Sequence, residues 1–323
     1  ISGDVLASAA VDVDGNSYWT TRAGQLHVLT PDGAPRVHIE LGGPSHSSPA
    51  IDAQGNVYTA TRDGRLIALR SDGQLIWSRD TNREILSSPL LDERSDLMVI
   101  SVEDRTLGLE MSSGRIRFVY NANNRRNNSS PVMGPDGLVR VVNWDGQVLA
   151  ISGLGRKVWS TELSRAASWT SPTLGSFGTL YTASADGSLV ALSPTGRILW
   201  VHSINKNVSG FLALLPDGRI LTPVMTGIYA TTLDGQESWF HRLPGNDGIN
   251  ASLAVSSDGD VLAGTLGGRI ISIDHQGETN WTIEPEVFSN PQSFRSPVII
   301  PAPVRGIPRA YLGSRDGDVF CIE

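Results

Sequence analysis

The stretch SSPAIDAQGNVYTATRDGRLIALRSDGQLIWS, Ser47 to Ser78, holds four short segments, SPAID, NVYTAT, RLIAL and QLIWS, parted by turns at Gly55, Gly64 and Gly73. Each segment alternates or runs apolar over about five residues, the pattern of a strand. The unit recurs down the chain, with a common anchor at Ala9, Pro49, Pro89, Pro131, Pro172, Leu212, Leu253 and Pro297. A second anchor, in the turn that follows, falls independently at Gly24, Gly64, Arg105, Gly146, Gly187, Gly227, Gly268 and Gly317. Four short strands in a repeat of about 40 residues describe one propeller blade, and a blade hides its faces only against its neighbours. The expectation is an all-β, eight-bladed β-propeller of four-stranded antiparallel blades, with residues 1–323 forming one domain. The last unit, SPVIIPAPVRGIPRAYLGSRDGDVFCIE, supplies three strands. The eighth blade is therefore expected to be incomplete, its fourth strand either missing or drawn from residues beyond this chain.

Fixed positions within the repeat carry fixed residue types. Four residues after the third turn glycine stand Val37, Trp77, Phe118, Trp159, Trp200, Trp239 and Trp281. A ring there suits a wedge between blades, its indole N–H seeking a backbone carbonyl. Five residues before the same glycine the side chain is small, at Ala68, Ala150, Ala191, Ala230 and Ser272. That slot is expected to make room for a neighbouring blade's ring. Beside the first anchor run Ser8, Ser48, Ser88, Ser130, Ser171, Phe211, Ser252 and Ser296. Small residues pack where inner strands converge; the other reading is a polar ring that holds waters or a small ligand.

A small residue, a turn glycine five positions on and a tryptophan four beyond it, as in ALRSDGQLIW, AISGLGRKVW and ALSPTGRILW, resemble the docking motif of the quinoprotein-like, or PQQ-repeat, propellers. The resemblance spans essentially the whole chain. One departure concerns the residue three before the glycine, usually acidic or Asn in that family. Here it is Asp274 in one unit but Thr30, Arg70, Met111, Ser152, Ser193 and Thr232 in others, which weakens the docking hydrogen bonds the resemblance implies. The family's enzymatic branch implies pyrroloquinoline quinone, Ca²⁺ and a pair of adjacent cysteines. Cys321 is the only cysteine, so that pair cannot form, and the chain has no C-x-x-C-H haem motif. The six histidines show no metal-ligand spacing, and VDVDGN (Val11 to Asn16) aligns with the first hairpin turn of other units. No catalytic residue, cofactor or metal is expected. The net charge of −7 opposes a nucleic-acid partner, and no apolar run is long enough for a transmembrane helix.

Within the family, the chain is similar to the propeller lipoproteins of the outer-membrane β-barrel assembly machinery. That likeness implies a monomeric, non-enzymatic scaffold of the periplasm or cell envelope, or a secreted one, that binds a protein partner. The start at Ile1 reads as a trimmed form, and any lipid anchor would lie upstream of it. The alternatives are a ligand-sensing PQQ-repeat domain and a quinone-dependent dehydrogenase. Loops at the channel mouth are where propellers differ from one another. Arg22, Arg62 and Arg315 should form a basic arc there, facing apolar Trp144, Met225 and Leu266. The links between blades add Arg125, Arg126, Arg165 and Trp169, residue types common at interface hot spots.

Overall fold

Turn glycines set the strand lengths in most units. In the second unit Gly55, Gly64 and Gly73 have φ of +83°, +108° and +90°, a conformation that side-chain-bearing residues adopt only with strain. The chain therefore reverses at each of them, and the strands between run only two to six residues. The computed structural model describes residues 1, 3–122, 126–163, 170–245, 247–284, 298–300, 309–314 and 317–322. Among these, seven sheets have four antiparallel strands in sequence order, as in Ala50–Ile51, Val57–Ala60, Arg65–Leu69 and Leu75–Asp80 of blade 2. The expected eight blades are corrected to seven complete four-stranded ones. The last unit makes a three-stranded sheet, Val298–Ile300, Arg309–Gly313 and Val319–Ile322. Among residues 1–6, none of the described ones pairs as its fourth strand. Val5 instead bridges Thr21 of blade 1, where the mouth-side turn of that blade offers its edge.

The core is a series of clusters, each shared by two neighbouring sheets. Tyr58, Leu66 and Trp77 of blade 2 meet Met98, Ile100 and Leu109 of blade 3. The three-stranded sheet takes part on both sides, with Leu312 against Leu262 and Ile270 of blade 7, and Tyr311 against Trp19 and Val5 of the first unit. Dividing the core this way suits a repeat protein, in which each unit is stable only against the next.

The aromatic slot is the joint between blades. Indole Nε1 of Trp77 donates to the Met111 carbonyl at 2.7 Å, and those of Trp159, Trp200 and Trp239 donate to Pro194, Leu233 and His275 carbonyls in the next blade. Each ring lies on that blade's turn glycine: a β-carbon at Gly114 would stand 2.6 Å from Trp77, and one at Gly196 2.5 Å from Trp159. Since the acceptors are backbone carbonyls, the departure at Met111, Ser193 and Thr232 costs no docking bond. Ser193 and Thr232 instead accept the Arg197 and Gln236 amides of their own turns at 3.1 Å, as Asp274 accepts Gln276 and Glu278. The small slot also differs from expectation. Ala68, Ala150, Ala191 and Ala230 pair in register with Trp77, Trp159, Trp200 and Trp239 of the same blade, so they make room for their own ring. A β-bulge follows each of them, bending the outer strand so that its ring reaches the neighbour.

The serines form a belt. The backbone amide of Ser8 donates to Ser48 Oγ, Ser48 to Ser88, Ser88 to Ser130 and Ser130 to Ser171, at 2.8–3.1 Å. Phe211 has no hydroxyl to accept from Ser171, and the series resumes with the Phe211 amide on Ser252 Oγ at 3.2 Å. The described hydroxyls thus stitch inner strands together, which is more than the steric role expected of them. The VDVDGN turn is likewise self-contained. Asp12 accepts from the amides of Asp14 and Asn16, from Asn16 Nδ2 and from Tyr18 Oη, and Asp52 repeats the set. Burial and the Asp12 carboxylate push the Tyr18 phenol up to about 12.

Candidate functional site

The mouth face is built by one repeated hydrogen bond. In the turn between a blade's second and third strands, the residue near the tip donates its backbone N–H to the link that enters the blade. Arg22 bonds the Asp4 carbonyl at 2.8 Å, Arg62 Pro44 at 2.6 Å, and Trp144 Arg126 at 2.9 Å. Met225 and Leu266 bond Asn207 and Gly248 at 3.2 and 2.7 Å. The side chains at these positions therefore stand on a fixed backbone platform. Arg125, Arg165, Trp169 and Arg315 lie outside the described residues.

Over blades 1 to 3 the platform is charged and internally matched. Arg62 Nε donates to Glu84 at 2.8 Å, and Arg83 Nη1 donates to Glu103 and Asp104 at 3.0 Å each. Arg22 lies 3.6 Å from Asp4. Of the expected basic arc, Arg22 and Arg62 lie beside acids on the links, Asp4 and Glu84, and Arg315 is not among the described residues. The arginines are legible in the repeat alignment, whereas Asp4 and Glu84 sit in links that no repeat position marks.

Over blades 4 to 7 the platform is apolar. The Arg126 guanidinium lies 5.4 Å from the centre of the Trp144 ring, a cation–π stack between two of the residues singled out from the sequence. Met225 and Leu266 are 41% and 38% exposed, and both approach Gly248 of the link between them. Asp247 fixes that link. Its side chain is 3% exposed, accepts the Gly248 and Gly267 amides at 2.7 Å each, and pairs with Arg269 at 2.9 Å. Burial raises the Asp247 pKa, but hydrogen bonds from Thr265, the two amides and Arg269 outweigh it and hold the carboxyl below its ordinary value.

Phe211, 45% exposed, adds to this side, as does a cavity of about 390 Å³ lined by Leu6, Thr170, Val208, Phe211, Asn250 and Ser252. In the repeat alignment Phe211 stands only as the exception among the serines. No charged side chain lines the cavity among the described residues. Its described lining offers neither cations for a quinone bearing carboxylates nor carboxylates for that quinone's metal ion. Among the described residues no group of acidic, histidine or cysteine side chains could hold a metal, and no helix is long and apolar enough to cross a membrane.

A family model described as Outer membrane protein assembly factor BamB matches residues 2–173, more than half of the chain. The chain belongs to that family. Among solved structures, BamB from Moraxella catarrhalis superposes with a TM-score of 0.83 at 20% identity, covering 99% of this chain and 97% of that one. Sqt1 from Saccharomyces cerevisiae gives 0.83 at 11% identity, covering 100% and 96%. The quinohemoprotein alcohol dehydrogenase ADHIIG from Pseudomonas putida HK5 gives 0.76 at 14%, covering 97% of this chain and 70% of that one. At such identities these likenesses show the fold alone, and proteins of different function share it. No curated protein matches the sequence.

Proposed function

We propose that this BamB-family protein is a non-enzymatic, extracytoplasmic scaffold. Residues 1–323 form one ring, with the three-stranded sheet as its incomplete eighth blade, and the mouth face over blades 4 to 7 docks a protein partner in outer-membrane assembly. The observation that carries the reading is the Arg126–Trp144 stack, held at the mouth by the Trp144 amide on the Arg126 carbonyl. An aromatic and an arginine pre-positioned on backbone give up little side-chain entropy on binding, which is why such pairs anchor interfaces. Arg125, Arg165 and Trp169 belong to the links on either side of blade 4 and are proposed as parts of the same contact. Arg22, Arg62 and Arg315 are proposed as a rim that guides approach. Family membership supports the envelope location.

Copurification from envelope extract tests this. Wild-type protein should retain a partner that the Arg126→Ala, Trp144→Ala double variant releases. Equal retention by both would refute the assignment. The cavity beside Phe211 favours a second reading, a small-molecule sensor, in which an uncharged ligand would raise the melting temperature by mass action while no protein copurified.

A further inference from the structure

The face opposite the mouth is formed by the other two turns of each blade, between its first and second strands and between its third and fourth. In most blades an exposed aspartate precedes the turn glycine there: Asp14, Asp136, Asp217 and Asp258 in the first set, Asp32, Asp72 and Asp234 in the second. Two neighbouring blades carry an apolar residue instead. Leu154 of blade 4 stands where Asp32 and Asp72 stand in blades 1 and 2, and is 76% exposed. Phe177 of blade 5 stands where Asp14 and Asp217 stand in blades 1 and 6, and is 92% exposed. Phe177 also has φ of +59°, a left-handed conformation that a bulky residue takes only with strain. A strained turn thus holds an aromatic ring out in water, where packing within the fold gives no return for it.

Charge changes at the same place. Arg156 and Lys157 follow the Leu154 turn, and Arg197 follows the corresponding turn of blade 5. All three are exposed, and none has an acidic partner among the described residues. The one acid in these turns of blades 4 and 5 is Asp136, which Arg140 holds at 2.6 Å. In blades 6 and 7 the same turns carry Asp217, Asp234, Asp258 and Asp274. A chain of net charge −7 therefore gathers unpaired positive charge and bare apolar tips in one sector. Val13, 84% exposed on this face, differs in lying between Asp12 and Asp14.

We propose that this sector of blades 4 and 5 docks on the surface of an anionic phospholipid bilayer. Phe177 and Leu154 enter the boundary between headgroups and acyl chains, while Arg156, Lys157 and Arg197 meet lipid phosphates. Single tips on separate turns suit a fluid boundary that closes around each of them, whereas a protein partner needs a continuous packed patch. The proposal goes beyond the scaffold reading and does not involve the mouth-face partner, which lies on the other side of the ring.

Cosedimentation of the 1–323 chain with vesicles tests it, using a phosphatidylethanolamine–phosphatidylglycerol mixture against phosphatidylcholine alone. Wild type should bind the anionic vesicles about tenfold or more tightly than the neutral ones, and high salt should remove the difference. A Leu154→Asp, Phe177→Asp variant restores the residue that other blades carry, so it should melt no lower than wild type. Its binding to anionic vesicles should fall about tenfold or more, as apolar anchors are lost. An Arg156→Gln, Lys157→Gln, Arg197→Gln variant, which leaves both turns intact, should lose at least as much, since each cation near an anionic surface is worth about a factor of five. Equal binding to both kinds of vesicle, or equal binding by wild type and both variants, would overturn the proposal. So would a wild type that binds no vesicle but loses a captured protein when Leu154 and Phe177 become Asp, which would make this face a protein interface. The Arg126→Ala, Trp144→Ala variant keeps the two readings apart, because it should release the mouth-face partner and bind vesicles as wild type does.

Discussion

The two arcs of the mouth face stand on the same backbone scaffold and differ in what their side chains still have to offer. Over blades 1 to 3, Arg62 and Arg83 are spent on Glu84, Glu103 and Asp104. Over blades 4 to 7, half-buried Trp144 carries the Arg126 stack, and Phe211, Met225 and Leu266 present exposed apolar surface. Charge at the mouth therefore serves the fold, and apolar exposure is what remains for a partner. Single exposed hydrophobics need no explanation, but several on one rigid arc do.

The largest effect comes from the joint between blades 4 and 5. Arg140 is fully buried and donates to Asp136 at 2.6 and 2.9 Å and to the Pro194 carbonyl of blade 5 at 3.0 Å. Arg140→Ala leaves a cavity and removes one donor each from Asp136, which keeps the Leu138 amide, and from that carbonyl, which keeps the Trp159 indole, and should cost ~2–5 kcal/mol in denaturant unfolding. A cost below that of a surface pair would mean that blades 4 and 5 do not share this anchor.

Next is Asp247→Ala, which frees the link beneath Met225 and Leu266 and should cost ~1–3 kcal/mol. Because the Asp247 pKa is held below its ordinary value, its contribution is fully present above that value and is lost as pH falls through the folded one. The wild-type advantage over Asp247→Ala should therefore shrink as pH drops below about 4, which melting curves across acid pH would reveal. An advantage that grew on acidification would contradict the clamp.

Phe211→Ser should act in the opposite direction. The new hydroxyl can accept the Ser171 amide and join the belt, stabilising the fold by ~0.5–1.5 kcal/mol while removing apolar surface from the arc. A stabilised protein with weakened partner binding would show that Phe211 is kept for function; a destabilised one would make it core. Smallest is Arg62→Ala. Its pair with Glu84 is half exposed, so the loss should lie within ~0–1 kcal/mol.

Much of the fold is legible in the sequence because repetition averages out local ambiguity. One tryptophan would be uninformative, but Trp77, Trp159, Trp200 and Trp239 at one spacing mark a joint, and the structure gives all four the same bond. What repetition cannot show is which blade a side chain faces. Ala68 reads as room for a neighbour's ring when it lies under its own, because the bulge that turns the outer strand leaves no mark of its own in the residue types. The belt was hidden for a related reason: serines in a row show small size, whereas their acceptor role depends on how far one inner strand steps past the next. The candidate site was partly legible. Trp144 and Arg126 could be placed at the mouth by turn alignment, but Glu84 and Asp247 lie in links of irregular sequence where only the folded backbone reveals their partners.

The central claim is that the partner reads the apolar arc. Once a protein is captured from envelope extract, its affinity can be titrated against wild type, an Arg126→Ala, Trp144→Ala variant and an Arg22→Ala, Arg62→Ala variant. The account predicts a loss of about tenfold or more in the first variant, as for hot-spot truncation, and about threefold or less in the second. The reverse order, or equal losses from both arcs, would contradict it.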